Sequence, residues 1–338
     1  MSRRATIKDV ARLAAVSTVT VSRVVNASER VQPATRDRVQ HAMRTLGYSP
    51  NIAAQAMRTN ISRSIGFLTP ELTSPTNAAV AQATEQALAE AGYTMLVTSS
   101  DYRAEREILA LGLLASRRVD GIILYVSDEA DPALIRAIGE ALVPLVLLDR
   151  SLPIEADIVM SDHATAMREG VEELARLGHR RVALLHNALD IRPTRERRRA
   201  FAEATAAIGP GAGRVVALPA MALSDSSPLD ELLDGPDPVT ACICDGVRLL
   251  RQLLQAVRRR GLVVPDDLSV IAVDALEASS LTSPETTVIV RDFAAIGRTA
   301  AELMLGRLAS PERAPTRVLL PSELRRHGSC GPPPERRR

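Results

Sequence analysis

A short segment near the N-terminus carries side chains of the types that read the edges of nucleic-acid bases. If residues 17–25 form a helix, Thr18, Val19, Ser22 and Arg23 lie on the face opposite its inward-facing valines. Arginine can donate two hydrogen bonds to guanine, and an aliphatic side chain suits the methyl group of thymine. We therefore expect this face to lie in the major groove of double-stranded DNA.

Two predicted helices and a tight turn would hold this face outward. The first helix begins after Thr6, which stands three residues before Asp9 as in a capping box. A turn at Ala15 and Val16 leads to Ser17, whose residue type is favoured as the N-cap of the second helix. Two short helices joined in this way are typical of a helix-turn-helix.

A third helix completes the predicted domain. Pro33 stands where proline often begins a helix, and Gly47 stands where glycine often follows one. We therefore expect an all-α helix-turn-helix DNA-binding domain over residues 1–49. Residues 1–60 contain ten lysine and arginine residues against three acidic ones, although the whole chain of 338 residues has a net charge of only +2. This asymmetry is typical of nucleic-acid binding.

The segment 50–62 is predicted to be a hinge helix and linker. It begins with Pro50, is rich in alanine, and is too short to form a stable helix alone in water. Contact with DNA and with a second copy of the chain would provide the missing support. A plain linker is the alternative interpretation.

Several motifs in these residues resemble one family of bacterial regulators. They are Thr6-Ile-Lys-Asp-Val-Ala-Arg-Leu-Ala14, Thr20-Val-Ser-Arg-Val-Val-Asn26 and Leu46-Gly-Tyr-Ser-Pro-Asn51. The chain resembles the lac-repressor/galactose-repressor family, with matches that run nearly unbroken through residue 59. Ala15 is a departure, because the family usually has glycine in the turn. Alanine there costs roughly 1 kcal/mol if the backbone needs a positive φ.

The resemblance implies a set of DNA contacts. In the family, the recognition helix reads bases, neighbouring polar residues hold phosphates, and the hinge helix enters the minor groove. Met57 takes the place of a leucine that wedges between base pairs there. The implied DNA-binding residues are Thr6, Ser17, Thr18, Val19, Thr20, Ser22, Arg23, Asn26, Asn51, Ala54 and Met57.

From residue 63 onward, apolar strand-like runs alternate with helical segments, which predicts parallel sheets with helices on both faces. About ten such units exceed what one doubly wound sheet usually needs. The resemblance implies an α/β periplasmic-binding-protein-like core at 63–326 with two doubly wound parallel-sheet subdomains. The N-subdomain is expected at about 63–161 and 292–320, and the C-subdomain at about 162–291 and 321–326. Residues 327–338 are expected to be a disordered tail.

Ligands of such folds bind in a crevice at the carboxyl ends of the strands. Asp149 and Asp274 each follow a buried strand, and Arg197 lies on a helix that follows another strand. The expected effector-binding residues are Thr76, Asp149, Arg192, Arg195, Arg197, Asp245 and Asp274. Of these, Asp149, Arg197 and Asp274 match family positions that hold the effector, and Arg192 and Arg195 add positive charge nearby.

The composition of the cleft favours a modified sugar as the small-molecule effector. Where the family often has Asn-Pro-Phe-Phe after the first strand, this chain has Ser74-Pro75-Thr76-Asn77, without an aromatic ring on which a neutral sugar would stack. Several arginines near one cleft instead suggest an anionic, sugar-derived effector, such as a sugar acid or a phosphorylated sugar.

Two other classes of function have little support in the sequence. An α/β enzyme is disfavoured because Gly209-Pro-Gly-Ala-Gly213 is not a G-x-G-x-x-G motif and no Walker A or G-x-S-x-G motif occurs. A secreted solute-binding protein is disfavoured by the absence of a signal peptide. Cys242 and Cys244 are interpreted as buried apolar residues, so we expect no metal and no cofactor.

We therefore expect a cytoplasmic, homodimeric transcriptional regulator, in the first instance a repressor, that binds a palindromic operator and has no membrane partner. The sequence leaves open whether the effector releases the protein from DNA or promotes binding.

Overall fold

A computed structural model describes residues 5–25, 31–48, 61–218 and 227–335. By its internal contacts the chain divides into two compact units, Met1–Ser62 and Arg63–Arg338. Asn26, Asn51, Ala54 and Met57, and with them the predicted hinge helix, lie outside the described residues.

The first unit contains three short helices: α1 (Ile7–Leu13), α2 (Thr18–Val25) and α3 (Pro33–Thr45). Val10, Val21 and Val39, one from each helix, are fully buried and form the centre of its small core. Their spacing on each helix leaves the opposite faces polar and exposed.

Local hydrogen bonds set the limits of these helices. The Asp9 carboxylate accepts from the backbone N–H and the hydroxyl of Thr6, at 3.0 and 2.7 Å, and the Ser17 hydroxyl accepts from the N–H of Thr20 at 3.1 Å. Ala15 in the turn has a φ of 49° and Gly47 has a φ of 59°. The turn therefore does require the left-handed backbone that the family supplies with glycine.

The first sheet of the second unit has six strands in the order β11-β5-β4-β3-β1-β2, and its paired strands are parallel. They are β1 (Ser64–Thr69), β2 (Thr94–Ser99), β3 (Gly121–Leu124), β4 (Leu145–Leu148), β5 (Asp157–Ser161) and β11 (Arg317–Leu320). One face is covered by α4 (Pro75–Glu90) and α12 (Phe293–Ala309), and the other by α5 (Ala104–Ser116) and α6 (Pro132–Gly139).

The second sheet also has six strands, in the order β12-β10-β9-β8-β6-β7, with β12 antiparallel to β10. They are β6 (Val182–Asn187), β7 (Gly213–Leu218), β8 (Ala241–Asp245), β9 (Ser269–Val273), β10 (Thr287–Arg291) and β12 (Ser322–Arg325). The helices α7 (His163–Arg176) and α8 (Arg192–Ile208) pack on one face. The helices α9 (Ser227–Asp234) and α10 (Val247–Arg259) pack on the other, and α11 (Leu276–Ser279) follows β9.

The chain passes between the two sheets three times. It leaves the first sheet after β5, returns after β10, and leaves again between β11 and β12. Two subdomains joined by three adjacent segments can rotate about those segments. The helices α4 and α12 meet closely at Gly297, where a Cβ atom would lie only 2.5 Å from the carbonyl oxygen of Val80.

The expectation that the C-terminal tail is disordered is wrong for residues 327–335. Ser329 is fully buried. Its carbonyl accepts from the N–H of Val270 at 3.0 Å, and its hydroxyl accepts from the N–H of Thr287 at 2.8 Å. The Gly331 carbonyl lies 2.9 Å from His179 Nε2. The tail is ordered because it satisfies backbone and side-chain groups at the starts of β9 and β10, which would otherwise be buried without partners.

Cys242 and Cys244 lie fully buried in β8, as expected for apolar core residues. Burial raises the pKa of the Cys242 thiol to about 12. Within the described ranges, no helix has the length and apolar character needed to cross a membrane.

Candidate functional site

The outward face of α2 is the first candidate surface. Thr18, Val19 and Arg23 are exposed, and Val19 keeps 59% of its surface accessible even though it is apolar. Val21 and Val24, on the opposite face, are buried. The helix therefore presents the base-reading side chains that the sequence predicted, because its valines are held in the core.

The other described DNA-binding candidates surround this face. The hydroxyls of Ser17 and Thr20 lie 2.9 Å apart at the start of α2, and Ser22 is half-buried. Thr6 is also half-buried, and its hydroxyl donates to Asp9. The hydroxyls of Thr6, Ser17 and Thr20 lie near helix N-termini, where phosphate oxygens bind favourably.

The second candidate site is a cavity of about 460 Å³ between the two sheets of the core. The carboxyl ends of strands from both sheets and the N-terminal turns of α4, α8 and α10 lie around it. Its size suits a small ligand. The structure places five of the seven predicted effector residues on its wall, namely Thr76, Asp149, Arg197, Asp245 and Asp274.

The other two predicted residues do not line the cavity. Arg192 donates to Asp149 at 3.4 Å and to the carbonyl of Ser161 at 3.3 Å. Arg195 is paired with Glu129 and, at 3.1 Å, with Asp190. Both guanidinium groups are therefore occupied by acceptors of the protein itself.

Asp149 follows β4, and its carboxylate contacts the segment after β5 in which the chain leaves the first sheet. Its carboxylate accepts from the N–H of Ser161 at 2.7 Å, lies 3.2 Å from Nε2 of His163, and is paired with Arg291. Burial alone would raise its pKa, but His163 and Arg291 hold the pKa well below the ordinary value. Burial lowers the pKa of His163, which leaves its imidazole neutral near pH 7.

Charged side chains alternate across the floor of the cavity. Arg197 donates to Asp245 at 2.6 Å and to Asp274 at 2.9 Å, and Arg291 donates to Asp274 at 2.8 Å and also to Asp149. Burial opposes ionisation of Arg291, yet its two carboxylate partners raise its pKa above the ordinary value. We call this alternating series, from Asp149 to Asp245, the charge chain.

Sequence reasoning missed several residues on the cavity wall. Arg150 is buried and donates to the carbonyl of Asp149 at 3.0 Å, and Arg291 belongs to the charge chain. Glu71 and Arg248, which come from opposite subdomains, form an ion pair of 2.8 Å at the cavity. Arg150 could have been identified from the sequence as a cavity residue because it directly follows Asp149. No motif around Arg291 indicates that it lies at the cavity.

The cavity wall contains aromatic rings, although residues 74–77 supply none. Tyr102 and Tyr125 both line the cavity, and the guanidinium of Arg150 lies 5.6 Å from the centre of the Tyr125 ring. The Tyr102 hydroxyl donates to Glu71 at 3.3 Å, and burial together with Glu71 raises the pKa of Tyr102 to about 12.

Comparison with known proteins places both sites in one family. A model of bacterial regulatory proteins of the lacI family matches residues 6–51, and a model of the periplasmic binding protein-like domain matches residues 171–330. The HTH-type transcriptional repressor PurR of Aliivibrio salmonicida is 30% identical over 310 residues, which cover 90% of this chain and 92% of that protein. The chain belongs to the lacI family of bacterial regulatory proteins.

Solved structures of this LacI-family fold agree over nearly the whole chain. The lac repressor dimer bound to operator and the anti-inducer ONPF has a TM-score of 0.83 and 30% identity, covering 97% of this chain and 99% of that one. A complex of the transcriptional regulator CelR with cellobiose has a TM-score of 0.71 and 27% identity, covering 96% and 100%.

The predicted fold class and family are therefore confirmed. The chain is a ligand-regulated, DNA-binding transcriptional repressor of the lacI family.

Proposed function

We propose that this repressor acts in the cytoplasm, binds a palindromic operator as a homodimer, and changes its affinity for DNA when a small carbohydrate-type effector occupies the cavity. The observation that carries the proposal is the cavity itself, because buried polar side chains from both sheets meet in it. A ligand there contacts both subdomains at once.

The surface of α2 supports operator binding. Arg23 and Val19 stand outward one turn apart, which suits two neighbouring bases in a major groove. One such helix reads one half-site, so a dimer with twofold symmetry reads a palindrome.

Exposed apolar side chains on the first sheet support a dimer. Val97 on the edge strand β2 is 45% exposed, and Leu109 and Leu113 on α5 are 72% and 51% exposed. These three side chains lie on neighbouring elements of the same subdomain. A clustered apolar surface of this kind is typical of a protein–protein interface. We propose that a second copy covers it.

Contacts between the subdomains support allosteric control. Glu129, from the first subdomain, accepts from the backbone N–H of Arg192 at 3.1 Å and pairs with the side chain of Arg195. Arg192 in turn donates to Asp149. An effector that binds one arrangement of the two subdomains more tightly shifts the population toward that arrangement. The dimer transmits the shift to the DNA-binding units.

The carbohydrate class is supported by the chemistry of the wall. Carboxylates, guanidinium groups and hydroxyls alternate there with tyrosine rings, and sugars present hydroxyl groups and apolar faces to such surfaces. The CelR complex contains a sugar, cellobiose.

Selection of binding sites from random double-stranded DNA at a fixed salt concentration tests the proposal. We expect a palindrome with two half-sites about one helical turn apart. Replacement Arg23→Ala should relax the preference at one base pair in each half-site, at a cost of about 1–3 kcal/mol. Arg44→Ala, which removes an exposed cation from α3 of the same unit, is the matched control. The proposal would be contradicted if no sequence is enriched either in the absence or in the presence of sugars, or if the protein is a monomer in sedimentation at micromolar concentration.

A further inference from the structure

An ion pair joins the two subdomains at the rim of the cavity. Glu71 lies in the loop between β1 and α4, and Arg248 lies in the first turn of α10. Nη2 of Arg248 is 2.8 Å from Oε1 of Glu71, and the two side chains are 34% and 15% exposed, more than those of the charge chain on the floor. Both residues line the cavity, so they lie at its solvent side. We call Glu71 and Arg248 the rim pair.

The order of the strands shows which side of the cleft the rim pair occupies. The crossing segments adjoin β5 and β11 in the first sheet and β10 and β12 in the second. β1 lies three strands from β5, and β8, which precedes α10, lies two strands from β10. Because neighbouring strands are about 4.8 Å apart, the rim pair is attached roughly 10–15 Å from the crossing segments. When two subdomains rotate about such segments, groups on the far side of the cleft separate most.

The carboxylate of Glu71 is held in place by its own subdomain. The hydroxyl of Thr73 donates to Oε1 at 2.6 Å, and the hydroxyl of Tyr102 donates to Oε2 at 3.3 Å. The backbone carbonyl of Glu71 accepts from the side-chain amide of Asn77 at 3.1 Å. These contacts can stay in place when the second subdomain moves. The acceptor is therefore preorganised for Arg248, which reduces the cost of forming the ion pair again.

Other ion pairs between the subdomains differ from the rim pair in position. Asp149 and Arg291 pair on the floor, next to the crossing segments. Glu129 and Arg195 also pair across the subdomains, but neither residue lines the cavity. Among the ion pairs of the described residues, the rim pair is therefore the one that both lines the cavity and lies on the side where the cleft opens.

We propose that the rim pair is a latch that favours the closed cleft and makes its opening depend on ionic strength. Opening separates the two charges, so the ion pair stabilises the closed arrangement only. Salt weakens the ion pair because both side chains are partly exposed. The latch rests on the proposed effector function of the cavity, because a ligand that needs the closed arrangement binds more tightly when that arrangement is already populated.

Distances between two spin labels in the full-length protein measure the latch without ligand or DNA. The labels are attached through Ala133→Cys and Ala202→Cys, at exposed positions on α6 and α8, and Cys330→Ser removes the half-buried native thiol. An excess of unlabelled protein ensures that most dimers carry labels on one chain only. We expect the wild-type protein to show a short and a long distance at low salt, with the short one predominant.

Glu71→Gln and Arg248→Gln each remove the ion pair. Each should move the ratio of short to long distances about fivefold or more toward the long one. The double variant should match either single variant, because the same interaction is lost in all three. Arg248→Lys keeps the charge and should stay within about twofold of the wild type. Raising the salt from about 50 mM to about 500 mM should open the wild-type cleft but not that of Glu71→Gln.

Glu196→Gln is the matched control, because it removes an ion pair of 3.2 Å that lies within α8. It should leave the distances unchanged. Urea denaturation shows whether each variant is folded, and Glu71→Asp replaces Glu71→Gln if that variant is not. The latch is overturned if both glutamine variants keep the wild-type distances, if their effects add in the double variant, or if salt acts equally on the wild type and Glu71→Gln.

Thermal stabilisation by sugars connects the latch to the effector. The sugars are cellobiose, D-ribose, D-glucose and D-galactose, and we call the one that stabilises the wild-type protein most the favoured sugar. Both glutamine variants should bind it about fivefold or more weakly, in proportion to the loss of the closed population. Unchanged affinity in variants with an open cleft would contradict the control of the effector site by the latch. If no sugar binds but the distances respond as expected, the proposed carbohydrate effector is wrong and the latch is supported.

Discussion

In each of the two sheets of the core, one strand is followed by an aspartate that has a left-handed backbone and lines the cavity. Asp149 follows β4 and Asp274 follows β9, and both have a left-handed backbone, with φ of 51° and 54°. Each donates its N–H to the neighbouring strand of its own sheet, Asp149 to Val159 and Asp274 to Ile289, both at 2.8 Å. The two subdomains thus reach the cavity with the same backbone geometry.

The side-chain partners of Asp149 belong mostly to the segments that join the subdomains. Ser161 ends the last strand before one crossing, His163 begins the helix after it, and Arg291 ends the strand before another crossing. Arg192 adds a contact from the second subdomain. Asp149 therefore contacts both subdomains at the segments that join them.

Asp274 binds two guanidinium groups that both belong to its own subdomain. Arg197 and Arg291 both donate to it, and these pairings outweigh burial and lower its pKa. Each arginine also has a second carboxylate, Asp245 for Arg197 and Asp149 for Arg291. The same backbone position thus contacts the segments between the subdomains in one case and two guanidinium groups of the charge chain in the other.

The largest expected effect comes from Asp149→Ala. The variant removes the carboxylate that pairs with Arg192 and that accepts from the N–H of Ser161, whereas Arg291 keeps Asp274. Breaking a buried pair in this way costs about 3–5 kcal/mol. Urea denaturation of the core should show a loss of this size. If Asp149→Ala lowers the free energy of unfolding less than Asp274→Ala does, the proposed difference between the two aspartates is wrong.

Asp274→Ala should cost less, about 1–3 kcal/mol. The reason is that Arg197 retains Asp245 and Arg291 retains Asp149, so neither cation is left without a carboxylate. The same denaturation experiment measures it. Thermal stabilisation by the favoured sugar should nevertheless suffer more than in any variant outside the cavity, and equal stabilisation would argue against a role in orienting the site.

As the pH falls, the contact between Asp149 and His163 should lose stability before the contacts of Asp274 do. Burial lowers the pKa of His163, so the unfolded chain binds a proton at higher pH than the folded chain does. Stability therefore falls as pH drops below about 6.5. The pKa of Asp149 is lowered too, but its contribution is lost only in stronger acid, as pH falls below the ordinary aspartate value near 4.

His163→Gln isolates this contribution. We expect it to remove on the order of 1 kcal/mol of the stability lost between about pH 7.5 and about pH 5.5. The rest of the acid sensitivity should persist, because burial also lowers the pKa of His179 and His186. An unchanged pH profile in denaturation experiments would show that His163 is not the titrating group.

The smallest expected change in stability comes from a substitution at Ala15, which has the same left-handed backbone as Asp149 and Asp274. Alanine has no side-chain hydrogen bond to offset this conformation, whereas aspartate tolerates it better. Ala15→Gly should therefore stabilise the first unit by about 0.5–1 kcal/mol. Slower amide exchange in α1 and α2 would show it. Ala14→Gly, at a buried right-handed position, should have the opposite effect.

The parts of the molecule that sequence predicted well are those with local signals. Thr6 with Asp9, and Ser17 with Thr20, lie three residues apart, so the caps of α1 and α2 can be read directly. The alternation of apolar runs and helical segments gave the architecture of the core in the same way.

The contacts of the cavity lie far apart in sequence. Arg197 meets Asp245 across 48 positions and Arg291 meets Asp149 across 142, so no local pattern shows that these charges are paired. The prediction of a disordered tail was wrong for a related reason. Its glycine and proline content predicts disorder, but hydrogen bonds to β9 and β10 hold it in place.

Because β11 and β12 lie near the C-terminal end of the described sequence, they limit the order in which parts of a newly synthesised chain can fold. β11 is the edge strand of the first sheet and β12 that of the second, and both follow every other strand in the chain. Because synthesis proceeds from the N-terminus, neither sheet can be completed until residues 317–325 have left the ribosome. The helices α1 to α3, in contrast, have emerged by residue 45. All residues of the three helices of the DNA-binding unit are therefore available for folding well before the sheets that enclose the cavity can be completed.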